Sequence, residues 1–384
     1  MSATASEQKT TSIDPGFAKR IAAFAGAGAD RRGFDAPAPV SVAVIKQMTD
    51  AVGDRNPIYT DEAFARNSIH KGLVAPPLWL YSWMMPGLAC EADQAFLPDG
   101  TPYHYVAPGG QRRTPAQRTL RDELNELLEG HGYASPAVTN MSYTFARYLR
   151  PGETPRFSSW IIEEIVGPKH TKIGEGYFAT MRIDVFVGEE PVATIRQRYL
   201  RSKPFERKSA PERKSAPQPP AAKNDAGSRP ATPPDLRFAP RPAFATRTLR
   251  FGEVKAGDTL PTLTVKISPT LIIAGALASQ DFQDVHHDYQ MIRRRGHPDI
   301  FMNMMTTSGI LGRYLTDWTG PDALIRAHEL RLGRPNYAGD TMRLTGSVRS
   351  AELVEGRGTV TVDAIGVNSL GNHAEGSMTV ELPL

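Results

Sequence analysis

Residues 299 to 321, "DIFMNMMTTSGILGRYLTDWTGP", are the stretch on which the fold prediction depends. Large apolar side chains cover most of the circumference when this run is drawn as a helix, which predicts a buried helix rather than an amphipathic one. Gly320 and Pro321 end the run, since glycine favours the residue after a helix and proline cannot continue one. A buried helix of this kind requires a layer of other secondary structure around it.

Long alternating strands follow the helix and supply such a layer. "TVTVDAIGV" (359–367) and "MRIDVFV" (181–187) alternate apolar and polar residues with a period of two, and turns containing Gly or Asn separate such runs. This pattern predicts antiparallel hairpins. Each half of the chain has the same order: a polar motif, an apolar helix, a turn ("RPGET" at 150–154, "YAGDT" at 337–341) and then strands. The order indicates a duplication of a whole domain.

A segment of low complexity separates the two halves. Residues 202–243 are rich in Pro, Ala, Ser and Lys and contain "ERKSAP" twice in tandem, so they lack the apolar surface needed to fold. We predict an N-terminal arm (1–35), a first domain (36–201), a disordered linker (202–243) and a second domain (244–384). A further helix is predicted over 114–132, as an insertion that packs over the first sheet or covers part of a site.

Composition excludes several classes of protein. The chain has 384 residues, 40% of them hydrophobic, which is enough for two domains with separate cores. Cys90 is the single cysteine, so an internal disulfide and a thiolate-cluster metal site are excluded, and a reducing cytoplasmic location is expected. No apolar run is long enough for a membrane span or a signal peptide. The net charge of +4 lies partly in the linker, and no zinc finger or RNA-binding strand is present, so we expect no nucleic-acid partner.

A polar motif before the helix carries the candidate catalytic groups. In "ASQDFQDVHHDY" (278–289), Asp281 and His286 offer a carboxylate and an imidazole, which commonly move protons in catalysis. On a regular helix, residues five apart point about 140° away from each other. We therefore expect an irregular loop in which both side chains face one water. The alternative is a polar loop whose side chains only bond the backbone.

A metal site is the other chemistry that this motif suggests, because Asp284, His286, His287 and Asp288 are all residue types that bind metals. Adjacent histidines point in different directions on a regular backbone, and no distant motif rich in Cys or His completes a set. We therefore expect no metal ion, and we assign His287 and Asp288 a structural role in the loop.

Together with the helix and the "AGDT" turn that follow, "SQDFQDVHHD" (279–288) resembles the S-G-D-x-N-P-x-H-x-D motif of the MaoC-like hydratases. Gln280, Gln283 and Asp284 replace the glycine, asparagine and proline of that motif. The second half, with "DIFMN", "TDWTGPDALI" and "RLGRPNYAGDT", is similar to the small subunit of the steroid side-chain enoyl-CoA hydratase. The first half, with "GDRNPIYTD" and "GLVAPP", is similar to the hot-dog domain of its large subunit.

The resemblance implies a double hot-dog fold of the α+β class, in which two antiparallel sheets each wrap round a central helix. It implies an enoyl-CoA hydratase acting on a bulky acyl-CoA of the cholesterol or bile-acid side-chain type. No cofactor is implied, since coenzyme A is part of the substrate. A homodimer is expected from the family. A downstream aldolase is a candidate partner, although the OB-fold domain associated with it in the two-subunit enzyme does not follow residue 201.

The resemblance also implies roles for residues of the second half. Asp281 and His286 stand at the catalytic positions, and the backbone N–H of Asn303 stands where the family polarises the thioester oxygen, with Met302 and Met304 lining the pocket. A helix N-terminus suits this polarising task, because its N–H groups are unpaired and lie at the positive end of the helix dipole.

The first half repeats the motif as "DAVGDRNPIYTD" (50–61), with changes that indicate a loss of catalysis. Asp54 remains, but Tyr59 stands in the histidine position, and tyrosine is a poor acid or base near neutral pH. Pro77 falls near the oxyanion position and offers no N–H. We expect these three residues to shape a cavity for a bulky acyl group instead.

The phosphates of coenzyme A need cations. The candidates are Arg293, Arg294, Arg295, Arg331 and Arg334.

Two alternatives to the steroid hydratase stay open. One is a hydratase or dehydratase of ordinary short or branched thioesters on CoA or acyl carrier protein, and the other is a non-catalytic thioester-binding protein.

Overall fold

The computed structural model describes residues 15–87, 119–171, 174–204, 247–294 and 296–384. In the first half the helices are α1 (Pro15–Ala22), α2 (Val42–Val52), α3 (Pro57–Thr60), α4 (Glu62–Asn67) and α5 (Leu120–Glu129), with a 3₁₀ helix at Pro77–Met84. Its strands are β1 (Phe34–Asp35), β2 (Ser135–Phe145), β3 (Arg156–Phe157), β4 (Ile161–His170), β5 (Gly174–Val187) and β6 (Glu190–Pro204).

The second half begins with a 3₁₀ turn (Phe251–Glu253). Its strands are β7 (Thr259–Lys266), β8 (Leu324–Leu332), β9 (Thr341–Val354), β10 (Arg357–Asn368) and β11 (Gly371–Leu382). Its helices are α6 (Pro269–Ala278), α7 (Tyr289–Arg294) and α8 (Met304–Thr319), with a second 3₁₀ turn at Asp284–His286.

The strands of both halves form one antiparallel sheet. The order is β1-β3-β5-β6-β2-β8-β11-β10-β9-β7, and β4 also pairs with β5. The halves meet where β2 pairs with β8, with Tyr143 opposite His328. This pairing satisfies two strand edges that would otherwise expose unpaired backbone groups. The predicted double hot-dog of the α+β class is confirmed, and its two sheets are joined edge to edge within one chain.

The central helix of the second half is α8, and most of its residues are buried. It begins at Met304 rather than at Asp299, because Asn303 has an extended backbone and its side-chain oxygen accepts the N–H of Thr306, as an N-cap residue does. Gly320 follows its last residue, as predicted. The start of this helix therefore lies directly beside the polar motif.

The central element of the first half is a 3₁₀ helix rather than an α-helix. Its residues from Pro77 to Trp83 are buried. Pro77 occupies the first helical position, where a missing N–H costs nothing, and the element ends before Pro86. Trp79 packs against α8 at Gly309, where a Cβ would overlap the indole ring. The two central elements are therefore in direct contact.

The predicted arm and linker are only partly described. Phe17 and Ile21 of α1 are buried, and Phe34 pairs with Phe157, so residues 15–35 pack onto the first half. Residues up to Pro204 belong to β6, and 205–246 lie outside the described residues. Of the helix predicted over 114–132, α5 is described, capped by Thr119, and 114–118 lie outside. In the described parts of the chain no helix is long and apolar enough to cross a membrane.

Candidate active site

The polar motif leaves helical geometry directly after α6. Ser279 is its C-cap residue, and Gln280 has a φ of 58°, a left-handed conformation that glycine favours. The motif that the sequence resembles has glycine at this position. The N–H of Asp281 then donates to Ala276 O at 2.9 Å, which turns the chain back toward α6. His286 follows in the 3₁₀ turn that starts at Asp284.

This loop brings Asp281 and His286 together. Oδ2 of Asp281 lies 3.3 Å from Nε2 of His286. Their exposed fractions are 4% and 5%, so the pair is shielded from bulk water. Such a pair can hold a proton at one end and accept one at the other.

The hydrogen bonds of His286 show where its protons lie. Nδ1 is 2.7 Å from Phe301 O, and since a carbonyl oxygen only accepts, Nδ1 is protonated. Burial would lower the pKa of His286, but the charge of Asp281 and its hydrogen bond outweigh this and raise it. Burial would likewise raise the pKa of Asp281, but His286 and Asn303 lower it below its ordinary value. Each group of the pair therefore favours the charged form of the other.

Asn303 joins this pair to the start of α8. Its Nδ2 donates to Asp281 Oδ2 at 3.1 Å and to Ser279 Oγ at 2.8 Å, while its Oδ1 accepts the N–H of Thr306 at 2.9 Å. The side chain is 3% exposed. One amide therefore caps the helix and holds the carboxylate, a role that sequence reasoning missed because it considered only the backbone of Asn303. Asparagine at a helix start was the available signal.

The residues on either side of Asn303 differ in burial. Met302 is buried and its N–H donates to Asn336 O at 2.9 Å, whereas Met304 is partly exposed and begins α8. The N–H of Asn303 donates to no acceptor within the described ranges. It therefore lies at the positive end of α8 beside the Asp281 carboxylate, where an incoming carbonyl oxygen can be bound.

The remaining acidic residues of the motif support the loop. Asp288 Oδ1 accepts the N–H groups of Gln290 and Met291, each at 2.9 Å, and so caps α7. The carbonyl of Asp284 accepts the N–H groups of His287 and Asp288. Among the residues that the structure describes, no group of three or more His, Cys, Asp or Glu side chains is arranged to hold a metal ion.

The repeated motif of the first half has no pair equivalent to Asp281 and His286, because Tyr59 stands in the histidine position. Asp54 is buried, its Oδ1 accepts the N–H of Asn56 at 3.0 Å, and burial raises its pKa to about 7. Tyr59 is 2% exposed, and burial together with the charge of Asp54 raises its pKa well above the ordinary value. Pro77 begins the 3₁₀ helix. Tyr59 therefore cannot take the place of His286 as a proton donor near neutral pH.

The candidate arginines are dispersed. Arg293 contacts Pro298 O at 3.3 Å and Asp299 at 3.5 Å, and Arg294 is exposed at the end of α7. Arg295 lies outside the described residues. Arg331 forms an ion pair with Glu375 on the outer face of the sheet, where both residues line an open groove of about 840 Å³. Strand alternation places it opposite to the buried Leu330, so the sheet separates it from α8.

Arg334 lies just beyond β8. Its N–H donates to Asn372 O at 2.8 Å, and its carbonyl oxygen lies 2.7 Å from Nδ1 of His373. The other ring nitrogen of His373 is 2.9 Å from the Thr307 hydroxyl of α8. The backbone of Arg334 is thereby linked to the first turn of α8.

Known proteins with similar sequences include subunits of acyl-CoA hydratases. A family model described as "FAS1-like, dehydratase domain region" matches residues 33–117. The chain is 45% identical over 128 residues to the 3-oxo-4,17-pregnadiene-20-carboxyl-CoA hydratase beta subunit of Mycobacterium tuberculosis, spanning 33% of this chain and 95% of that protein. It is 35% identical over 200 residues to the alpha subunit of that hydratase, spanning 52% of this chain and 54% of that protein. The chain thus covers about half the length of the alpha subunit.

A solved structure agrees on the fold. A MaoC-like dehydratase superposes with a TM-score of 0.61, covering 95% of this chain and 99% of that chain. The sequence identity of 18% limits this likeness to the fold.

Proposed function

Because this chain belongs to the MaoC-like family of enoyl-CoA hydratases, we propose that it adds water across the α,β double bond of a bulky acyl-CoA, a hydro-lyase reaction. The observation that carries the proposal is the buried 3.3 Å contact between Asp281 and His286 beside the start of α8. The substrate class is a steroid side-chain enoyl-CoA, since both relatives are named for 3-oxo-4,17-pregnadiene-20-carboxyl-CoA.

In this proposal Asp281 is the general base and His286 the general acid. Oδ2 of Asp281 is held by His286 and Asn303, so Oδ1 is the proposed atom that accepts a proton from water. The hydroxide adds to the β-carbon, and Nε2 of His286 donates its proton to the α-carbon. The step leaves a neutral carboxyl group and a neutral imidazole. Exchange with water then carries the proton from Oδ1 of Asp281 to Nε2 of His286 and restores the charged pair.

Negative charge develops on the thioester oxygen during this addition and needs a fixed donor. The proposed donor is the backbone N–H of Asn303, at the positive end of α8. Its side-chain bonds to Thr306 and Asp281 support this assignment, because they hold donor and base in one rigid unit. Met302 and Met304 are the proposed apolar walls beside it.

The first half is proposed to hold the acyl group rather than to react with it. The raised pKa of Tyr59 makes its hydroxyl a poor acid near neutral pH. Pro77 has no backbone N–H to donate. Asp54, Tyr59 and Pro77 are then binding residues that border the contact between the two halves. The eight-residue 3₁₀ helix, half the length of the sixteen-residue α8, supports an acyl site on this side.

Coenzyme A, a second copy of the chain and an aldolase are the remaining proposed partners. Arg293 and Arg294 are the preferred contacts for the phosphates of coenzyme A, because both lie at the end of α7, near the catalytic loop. Arg334 is a weaker candidate, and the ion pair of Arg331 with Glu375 on the outer face disfavours it. We also propose a homodimer acting in the cytoplasm without a cofactor. An aldolase acting on the product is a candidate partner.

The test is the loss of enoyl-thioester ultraviolet absorbance when purified protein is added to a steroid side-chain enoyl-CoA and, separately, to crotonyl-CoA. We expect turnover of the steroid thioester, abolished in Asp281→Asn and His286→Gln. Asp54→Asn is the matched change in the first half and should leave the chemical step intact.

The alternatives predict other outcomes in the same assay. Turnover of crotonyl-CoA alone would keep the dyad and discard the steroid substrate. No turnover of either thioester, with both bound, would favour a binding protein. Loss of turnover in Asp54→Asn but not in Asp281→Asn would place the active site in the first half.

A further inference from the structure

A partly buried arginine in the first half has no carboxylate partner among the residues that the structure describes. The guanidinium of Arg121, on α5, lies 5.1 Å from the ring centroid of Trp160 and 5.6 Å from that of Tyr199. Its one hydrogen bond in the described structure is a long one, 3.4 Å from Nη1 to the hydroxyl of Tyr81. Within the described ranges no Asp or Glu forms an ion pair with it. Most of its N–H donors are therefore available to an acceptor that approaches between the two rings.

Further polar groups collect on the inner face of the sheet beside this arginine. The following side-chain atoms are buried and make no hydrogen bond with the described residues: Ser82 Oγ, Tyr143 OH, Gln197 Oε1, Tyr199 OH, Ser308 Oγ and His328 Nε2. An unsatisfied buried polar group costs about 1–3 kcal/mol, and folded proteins contain few of them. Their concentration in one region therefore needs an explanation.

The strand register places several of these groups together. Tyr143 stands opposite His328 across the joint between β2 and β8, and their rings are parallel at 6.1 Å. Gln197 stands opposite Met141, two residues before Tyr143 on the same face of β2. These side chains all point from the joint of the two sheets toward the central elements.

The central elements complete the cluster. Burial raises the pKa of Tyr143, the neighbouring Tyr81 hydroxyl raises it further, and the neighbouring Ser308 hydroxyl opposes this. Tyr81 belongs to the 3₁₀ helix and Ser308 to α8, so hydroxyls from both halves converge on Tyr143. Tyr143 and Ser308 are close, yet neither hydroxyl makes a well-formed hydrogen bond.

The helix α8 relates this cluster to the dyad. Asn303 stands at its start, and Ser308 lies five residues further on, which is about 7.5 Å along the axis at 1.5 Å per residue. Residues five apart also differ by about 140° around the axis, so an acyl group whose reacting carbons lie at Asn303 would have to extend both along α8 and around it to reach Ser308. A short acyl group ends before this point, whereas a fused ring system reaches it.

We propose that the cluster of Arg121, Tyr81, Tyr143, Tyr199 and Ser308 binds an oxygen atom, a ketone or hydroxyl, at the end of the acyl group remote from the thioester. This inference rests on the proposed hydratase function and adds a specificity site to it. Hydroxyl and guanidinium donors outnumber acceptors in the cluster, which suits a carbonyl oxygen. His328 supplies an acceptor for a hydroxyl, because burial lowers its pKa to about 4 and keeps the ring neutral.

The test compares two saturated CoA thioesters that share one ring skeleton and differ only in the remote ketone. Binding is measured by calorimetry, so the result does not depend on turnover. We expect the wild-type protein to bind the ketone at least tenfold more tightly, and Tyr143→Phe and Ser308→Ala each to reduce this preference severalfold. Tyr314→Phe is the matched control, since Tyr314 also lies on α8 and has a buried hydroxyl without a partner, but that hydroxyl lies near Gly346 on β9.

Three outcomes would overturn the proposal: equal wild-type affinity for the two thioesters, an unchanged preference in both variants, or an equal loss in Tyr314→Phe. Turnover of the corresponding enoyl-CoA and of crotonyl-CoA is measured separately in each variant. If the wild-type protein turned over neither enoyl-CoA, the hydratase function would be contradicted. A wild-type preference for the ketone-bearing thioester would still support the proposed role of the cluster.

Discussion

Replacing Asn303 by glycine separates the two tasks of this residue. The backbone N–H and a tolerable helix cap remain, because glycine at this position costs only a few tenths of a kcal/mol relative to asparagine. The bond from Nδ2 to Asp281 Oδ2, 3.1 Å long, is lost. A hydrogen bond to a charged group contributes about 1.5–3 kcal/mol, so kcat/KM should fall roughly 10- to 100-fold.

The same change should shift the pH dependence. The amide of Asn303 is one of the groups that lower the pKa of Asp281, so its removal raises that pKa. A general base must be ionised, and the acidic limb of kcat/KM should therefore move to higher pH. Initial rates of hydration across the pH range measure both effects.

Ser268→Gly is the matched control for this experiment. Ser268 caps α6 through a 3.0 Å bond from the N–H of Leu271 and does not contact the dyad. It should lower the free energy of unfolding by a similar amount and leave the pH profile unchanged. An unchanged acidic limb in Asn303→Gly, or an equal loss of rate in Ser268→Gly, would refute the reasoning.

Three further predictions concern the acid, the first-half carboxyl group and the contact between the halves. As the general acid, His286 should make kcat/KM fall on the alkaline side only above pH 6.5, since its carboxylate partner outweighs burial and raises its pKa; a fall below that pH in rate profiles would contradict this. Burial raises the pKa of Asp54 from 3.8 to about 7, so its ionisation lowers the free energy of unfolding as pH rises from about 4 to about 7, and Asp54→Asn should remove this loss of a few kcal/mol in urea unfolding. Gly309→Ala should lower the free energy of unfolding by about 1–3 kcal/mol through overlap with Trp79, whereas Gly312→Ala on the same helix should be neutral or stabilising; equal effects in thermal unfolding would contradict the packing.

Only part of the site could be predicted from the sequence. The pairing of Asp281 with His286 was accessible because both residues belong to one short motif, and their spacing on a helix required an irregular loop. The bond from Asn303 to Asp281 was not accessible, since it joins residues 22 positions apart and depends on how α8 meets the loop. The cluster around Tyr143 was also missed, because its members come from β2, α5, β6, the 3₁₀ helix and α8.

Local pattern also set the limits of the helix predictions. The run from 299 to 321 is rich in large apolar residues, but its first five residues are not helical, because Phe301 pairs with Tyr337 and Asn303 caps the helix. The apolar pattern cannot distinguish a buried extended segment from a buried helix. The 3₁₀ helix of the first half shows the same limit, since its apolar residues do not distinguish a 3₁₀ helix from an α-helix.

The sequence by itself determined the buried helix, the antiparallel strands, the duplication and the dyad, because each follows from spacing along a short segment. Only the tertiary structure decided that the two sheets join through β2 and β8 within one chain, that the Asn303 amide holds the Asp281 carboxylate, and that polar groups of both halves face one another. The physical reason is that these contacts depend on which edges and faces meet in space, and a strand edge or buried face can be satisfied by any complementary partner, whatever its distance along the chain.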